Sequence, residues 1–274
     1  MTKQEKMQEL RVFAEQIRLE TLKIIGARGF GHVGGSMSLA ETMAVVYGAY
    51  MNIDPKNPRW EDRDWFVLSK GHAGPVMYAT LGLKGFYPVS DAYQLNQPGT
   101  IFPSHTDRNK TPGVDLTTGS LGQGIGEAVG AALGLKTQGK KSRVYVAVWE
   151  AAQFAAHYKL DNLICFVDDN KRQLDGAVDK VMSHGKGIAA KFDAFGWNVI
   201  TVADGNDVEQ IYDAVADALK VKNMPSCIVL NTIKGKGATF AESTGAHSSQ
   251  PSKEEWDEAI AAAEARYAAV KGQN

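Results

Sequence analysis

DNLICFVDDNKRQLDG (161–176) decides the fold. Leu163–Val167 is a short, uninterrupted apolar run, the pattern of a strand covered on both faces inside a parallel sheet. Asp168, Asp169 and Asn170 follow at once, so the strand ends in hard oxygen groups. Outward from this stretch, Val144–Val148, Trp197–Val202 and Cys227–Asn231 are further β-rich runs. Helical patterns lie between them at Trp149–Tyr158, His184–Phe195 and Val208–Lys222. Strands alternating with helices predict an α/β fold, a parallel sheet with helices on both faces.

Toward the N-terminus, residues 5–28 carry apolar side chains at helical spacing (Leu10, Phe13, Ala14, Ile17, Leu22, Ile25). A glycine break at 29–35 follows, and Ser38 with Glu41 predicts a capped helix over Leu39–Met51. Trp65–Leu68 reads as a buried strand that runs straight into Ser69-Lys70-Gly71-His72 and a helix near Pro75–Lys84. Residues 97–120 form a long loop, and long loops inside a domain are often functional. Leu121–Leu135 is helical in period but rich in glycine, which predicts close contact with another backbone or a subunit interface. Ser252 and Glu255 open a last helix over 252–270. No repeat or linker divides the chain, so residues 1–274 read as one domain.

Composition narrows the function classes. With 44% hydrophobic and 22% charged residues, the 274-residue chain is ordinary globular protein. A net charge of -1 gives no basic field for nucleic acid or anionic lipid. No apolar stretch is long enough to span a membrane, and the polar opening MTKQEKMQEL lacks a signal-peptide core. Cys165 and Cys227, the two cysteines, lie in apolar runs and predict buried thiols in a reducing cytoplasm. Glycine makes up 28 residues and is clustered at 29–35, 119–134 and 235–245, which predicts backbone lying close to a ligand, often a phosphate.

Ligands of open parallel sheets bind beyond the carboxyl ends of the strands. Those positions hold Ser69–His72, Asp168–Gly176 and Thr232–Gly237, with His247 further on. Asp168-Asp169-Asn170 fits a hard cation such as Mg²⁺, or else an Asx turn that bonds its own backbone. His32, His72 and His105 each lie in loop-like sequence without metal-binding spacing, and together predict a polar pocket for phosphate or hydroxyl groups. His157 reads as structural. GSLGQGIG (119–126) has neither a strand before it nor the spacing of a dinucleotide fingerprint, which argues against a nicotinamide enzyme.

GHVGGSMSLAE (31–41), LSKGHAGP (68–75), SHTD (104–107), TPGVDLTTGSLGQGIG (111–126), WEAAQFAAHYKLDNLICFVDDNKRQLDG (149–176) and TIKGKG (232–237) occur in an order that resembles the transketolase family. The likeness is to the N-terminal, diphosphate-binding half, in the form where the enzyme is split over two chains. It implies transfer of a two-carbon ketol unit from a ketose phosphate to an aldose phosphate, with Mg²⁺ (or Ca²⁺) and thiamine diphosphate as cofactors. By the resemblance, His72 binds the diphosphate, and Gly119, Leu121, Gly122 and Leu174 lie along the cofactor. Asn170 ligates the metal through its side chain and Arg172 through its carbonyl. His32 and His105 contact substrate oxygens, and His247 is a further catalytic candidate. The resemblance also implies a partner: a C-terminal subunit carrying the pyrimidine-binding domain and the activating glutamate, in a hetero-oligomer of two copies of each chain.

One expected motif is missing. The resemblance implies Gly-Asp-Gly after the strand Val144–Val148, its aspartate binding the metal, but Val148 is followed directly by Trp149. About ten residues are absent where such connections need about 2–6. No Ser, Thr, Asp, Asn or Gly stands between Tyr145 and Trp149 to turn the chain or cap the helix. Weak or absent Mg-thiamine diphosphate binding is therefore expected. Two other readings stay open: a non-catalytic subunit that keeps the fold, and a thiamine enzyme acting on other ketoses, such as sulfonated sugars.

Overall fold

The computed structural model describes residues 1–146, 150–173, 176–242 and 250–272. The Val148–Trp149 junction, Leu174 and His247 lie outside the described residues. Strands β1 (Trp65–Phe66), β2 (Val144–Val146) and β3 (Leu163–Asp169) precede a hairpin of β4 (Arg172–Gln173) and β5 (Gly176–Ala177). Strands β6 (Asn198–Val202) and β7 (Ser226–Asn231) complete the set. Five of them form one sheet in the order β1-β2-β3-β7-β6, every pair parallel. The hairpin β4–β5 pairs antiparallel and was not predicted from the sequence.

The helices, in chain order, begin with α1 (Lys3–Gly26), α2 (Val33–Met37), α3 (Ala40–Val45) and α4 (Gly74–Leu83). Next come α5 (Gln123–Thr137), α6 (Glu150–His157), α7 (Val178–Val181) and α8 (Ile188–Ala194). The last are α9 (Val208–Ala218), α10 (Thr239–Glu242) and α11 (Lys253–Lys271). Both faces of the sheet are covered, as the uninterrupted apolar strands require. Ile164 and Phe166 face a core made with α1, α3, α4 and α9, while Leu163, Cys165 and Val167 face one made with α5, α6 and α8. Side chains alternate between the faces because successive strand residues point in opposite directions. A smaller core joins α1 and α2 to α10 and α11 through Leu22, Val33, Met37, Ala241 and Trp256.

The start of α3 differs from expectation. Ser38 does not cap it; Leu39 holds the capping position without a side-chain bond. Helix α2 runs on into α3, so the Ser38 and Leu39 N–H groups are accepted by Gly34 and Ser36 carbonyls. With those donors satisfied, the Ser38 hydroxyl reaches Asp168 instead. The capping box at Ser252 and Glu255 forms as predicted, and both cysteines are free and buried. His157 is exposed, its ring against Tyr158. In the long loop, Asp115 ties residues 111–118 to the sheet: it accepts from Arg63 Nη2 at 2.7 Å and from the Phe66 N–H at 2.9 Å. Among the described residues, no helix is long and apolar enough to cross a membrane.

Candidate active site

The chain leaves β1 and turns at Gly71, which lies against the backbone of residues 118–119. A Cβ at Gly71 would sit 2.7 Å from the Thr118 carbonyl oxygen and 2.9 Å from the Gly119 nitrogen. Thr118 holds this approach, donating from Oγ1 to the Leu68 carbonyl at 2.7 Å and from its N–H to the Thr106 carbonyl at 3.1 Å. The glycine thus lets the loop bearing His72 close on the loop bearing His105. Gly71→Ala is expected to destabilise the fold by about 1–3 kcal/mol through this overlap with fixed backbone, read by urea unfolding.

The three loop histidines converge. His32 and His72 ring centres are 5.1 Å apart, and His32 and His105 are 6.4 Å apart. Gly35 makes room for this, since a Cβ there would fall 3.1 Å from His72 Nε2. Burial, and then the neighbouring His105, pull the His32 imidazole below its ordinary pKa. The lowered pKa favours the neutral imidazole, which carries one donor and one acceptor nitrogen.

Beside the histidines lies a cavity of about 600 Å³ at the carboxyl ends of β1, β2 and β3. Leu39, Phe66, Val67 and Phe166 give it apolar walls, and Lys70, His72, Asp168, Asn170, Arg172 and Lys234 its polar groups. Leu121 and Gly122 line it too, with Gly122 in the left-handed region (φ 91°) where the chain enters α5. Gly119 lies beside His105. Of the residues expected in the site, then, His32, His72, His105, Gly119, Leu121, Gly122, Asn170 and Arg172 come together.

Asp168 organises the floor. Its carboxylate accepts from Ser38 Oγ at 2.7 Å and Asn170 Nδ2 at 3.1 Å, and also from Lys70 Nζ and Thr232 Oγ1. Burial alone would raise its pKa; the Lys70 charge and the hydrogen bonds outweigh this and hold it below the usual value. Lys234 is buried, and burial followed by the Arg172 and Lys70 charges depresses its ammonium pKa. Lys70, Thr232 and Lys234 lie in segments the sequence places at the strand ends but receive no individual role there, and Ser38 reads as a helix cap. For the lysines, the available signal was their place in segments that directly follow strands.

The diphosphate of thiamine diphosphate fits this donor set: a cavity of suitable size, apolar walls and several cationic donors. A divalent cation does not fit the described residues. It needs several hard oxygens, yet Asp168 is held by Lys70 and Asp169 by Lys171. Asn170 donates to Asp168, and its Oδ1 accepts the Arg172 N–H at 3.1 Å. No cluster of three or more His, Cys, Asp or Glu side chains able to hold a metal occurs among the described residues. In this geometry the oxygens of Asp168, Asp169 and Asn170 are engaged by protein donors.

Residues 10–143 and 146–268 match the family described as "Transketolase, thiamine diphosphate binding domain". The chain is 45% identical over 259 residues to the 6-deoxy-6-sulfo-D-fructose transketolase subunit SqwG of Clostridium sp. (strain MSTE9), covering 90% of this chain and 94% of that one. It is 29% identical to an apulose-4-phosphate transketolase subunit of Phocaeicola vulgatus, covering 98% of each. The solved transketolase of Leishmania mexicana superposes with a TM-score of 0.84 at 28% identity, over 96% of this chain and 45% of that one. Fold and sequence agree: the chain belongs to the transketolase family, as its thiamine diphosphate binding domain.

Proposed function

We propose that the chain is the N-terminal subunit of a two-chain transketolase that moves a two-carbon ketol unit from a ketose to an aldose phosphate. The convergence of His32, His72 and His105 beside a cation-lined cavity at the strand ends carries this reading. When bound, thiamine diphosphate supplies the carbanion and electron sink for carbon–carbon cleavage. The chain's own residues position and shield. Lys70, Arg172, Lys234 and His72 bind the diphosphate end, while Leu121 and Gly122 lie along the cofactor. His32 and His105 hydrogen-bond substrate oxygens, and the neutral His32 holds a proton where a hydroxyl can exchange it. Leu174 and His247 belong to the same site in this reading.

The partner is a C-terminal subunit bearing the pyrimidine-binding domain and a catalytic glutamate, assembled as a heterotetramer. Near-complete coverage of two relatives that are themselves subunits, against 45% of the Leishmania mexicana chain, supports this division. The two buried free thiols fit a cytoplasmic setting. Magnesium-assisted cofactor binding is impaired. The family match breaks between residues 143 and 146, close to the Val148–Trp149 junction that lacks Gly-Asp-Gly.

Two observations shape the alternatives. Identity to SqwG favours 6-deoxy-6-sulfo-D-fructose as donor, whereas the missing loop favours a non-catalytic subunit. Ketol transfer by the chain co-purified with its C-terminal partner tests all three, with 6-deoxy-6-sulfo-D-fructose and fructose 6-phosphate compared as donors. Turnover with either donor supports the proposal, and a preference identifies the sugar. A stable pair that binds sugar without turnover shows the non-catalytic form.

A further inference from the structure

Among the described residues, the lining of the cavity carries more cationic side chains than carboxylates. Lys70, Arg172 and Lys234 are its cations, Asp168 is the one carboxylate among its described lining residues, and His72 stands beside them. Asp168 is paired with Lys70 and further held by Ser38 and Thr232, so it has little capacity left for Arg172. Arg172 is half-buried, and its guanidinium has no hydrogen-bond or ion-pair partner among the described residues. Its backbone N–H donates to Asn170 Oδ1 at 3.1 Å, and its strand pairs with Ala177, which together fix the turn that presents it at the cavity.

Such a lining repels a divalent cation and attracts a multiply charged anion. The guanidinium offers several donors in a rigid fork suited to paired phosphate oxygens, and Lys234 adds a second positive charge nearby. We propose that this cavity binds the diphosphate group directly through Arg172 and Lys234, with His72 and the Lys70–Asp168 pair at their side, and without a divalent cation as intermediary. In this chain, Arg172 acts through its side chain as the counter-charge to the diphosphate. The inference rests on the reading that the cavity takes thiamine diphosphate.

Calorimetric titration of the full chain with thiamine diphosphate, in excess EDTA and again in excess magnesium, is the test; inorganic diphosphate serves as competitor. The dissociation constants should agree within about twofold, and inorganic diphosphate should displace the cofactor in EDTA. Arg172→Gln should weaken binding by about tenfold or more, as loss of a charge-assisted contact requires. Arg172→Lys should weaken it less, and neither variant should shift the thermal unfolding midpoint. A tenfold or greater tightening by magnesium overturns the inference and leaves the cofactor reading standing. Unchanged affinity in a folded Arg172→Gln protein overturns the role of Arg172. Absence of binding under both conditions overturns the inference and the cofactor reading together.

Discussion

Arg18→Ala should lower the free energy of unfolding by about 3–5 kcal/mol, the range for breaking a buried ion pair from one side. Arg18 is on α1, yet its side chain is only 2% exposed. It donates to Glu41 on α3, to the Met37 carbonyl at 3.3 Å, to the Lys236 carbonyl, and to Glu15 at 3.3 Å. Removing it leaves Glu41 buried, with the Asn206 amide at 3.2 Å as its remaining side-chain donor. That amide's oxygen accepts the Ile233 N–H at 2.9 Å, so the same network holds both ends of the turn carrying Lys234. Equilibrium urea unfolding measures the loss. The double variant Arg18→Met with Glu41→Leu should recover at least about 1 kcal/mol relative to Arg18→Ala, because no buried charge then lacks a partner. Thiamine diphosphate affinity should fall in the single variant, since the Lys234 turn loses its anchor.

Asp168→Ala has the second-largest expected effect, about 3 kcal/mol of stability. The carboxylate is 10% exposed and its Lys70 partner 20% exposed, so solvent screens this pair more than Arg18 and Glu41, and the lower end of the range applies. The change also removes the carboxylate to which the Ser38 and Thr232 hydroxyls donate. Lys70→Met alone should cost a comparable amount by leaving the carboxylate uncompensated. The two changes together should cost less than their sum, with a coupling energy of at least about 1 kcal/mol. Simple additivity in a denaturation cycle would show that the pair does not organise the floor.

Much of the fold was legible because doubly covered strands must be apolar throughout. Leu163–Val167 and Cys227–Asn231 announce themselves, and the helices between them leave few ways to arrange the sheet. The convergence of His32, His72 and His105 was legible from their loop contexts, although their ring distances were not. The role of Ser38 was not, because Ser38 with Glu41 is locally indistinguishable from a cap. What decides it is that α2 already satisfies the backbone donors, a tertiary circumstance. Lys70 and Asp168 are separated by 98 residues, and nothing in LSKGH or VDDN states that they meet. Arg18 has the same character: one charged residue in an amphipathic helix reads as solvated until Glu41 is placed against it. The short hairpin at Arg172–Ala177 escaped because its strands, two residues each, carry no periodicity.

In our proposal the cavity beside the three histidines is the thiamine diphosphate site of a ketol-transferring pair. The most direct measurement is a crystal structure of the chain with its C-terminal partner and thiamine diphosphate. The diphosphate is predicted to lie among His72, Arg172 and Lys234, with the cofactor extending past Leu121 and Gly122 toward the partner and His32 and His105 at the open end. A cofactor bound elsewhere on the chain, or a fully assembled pair whose cavity excludes it at saturating concentration, would contradict the account.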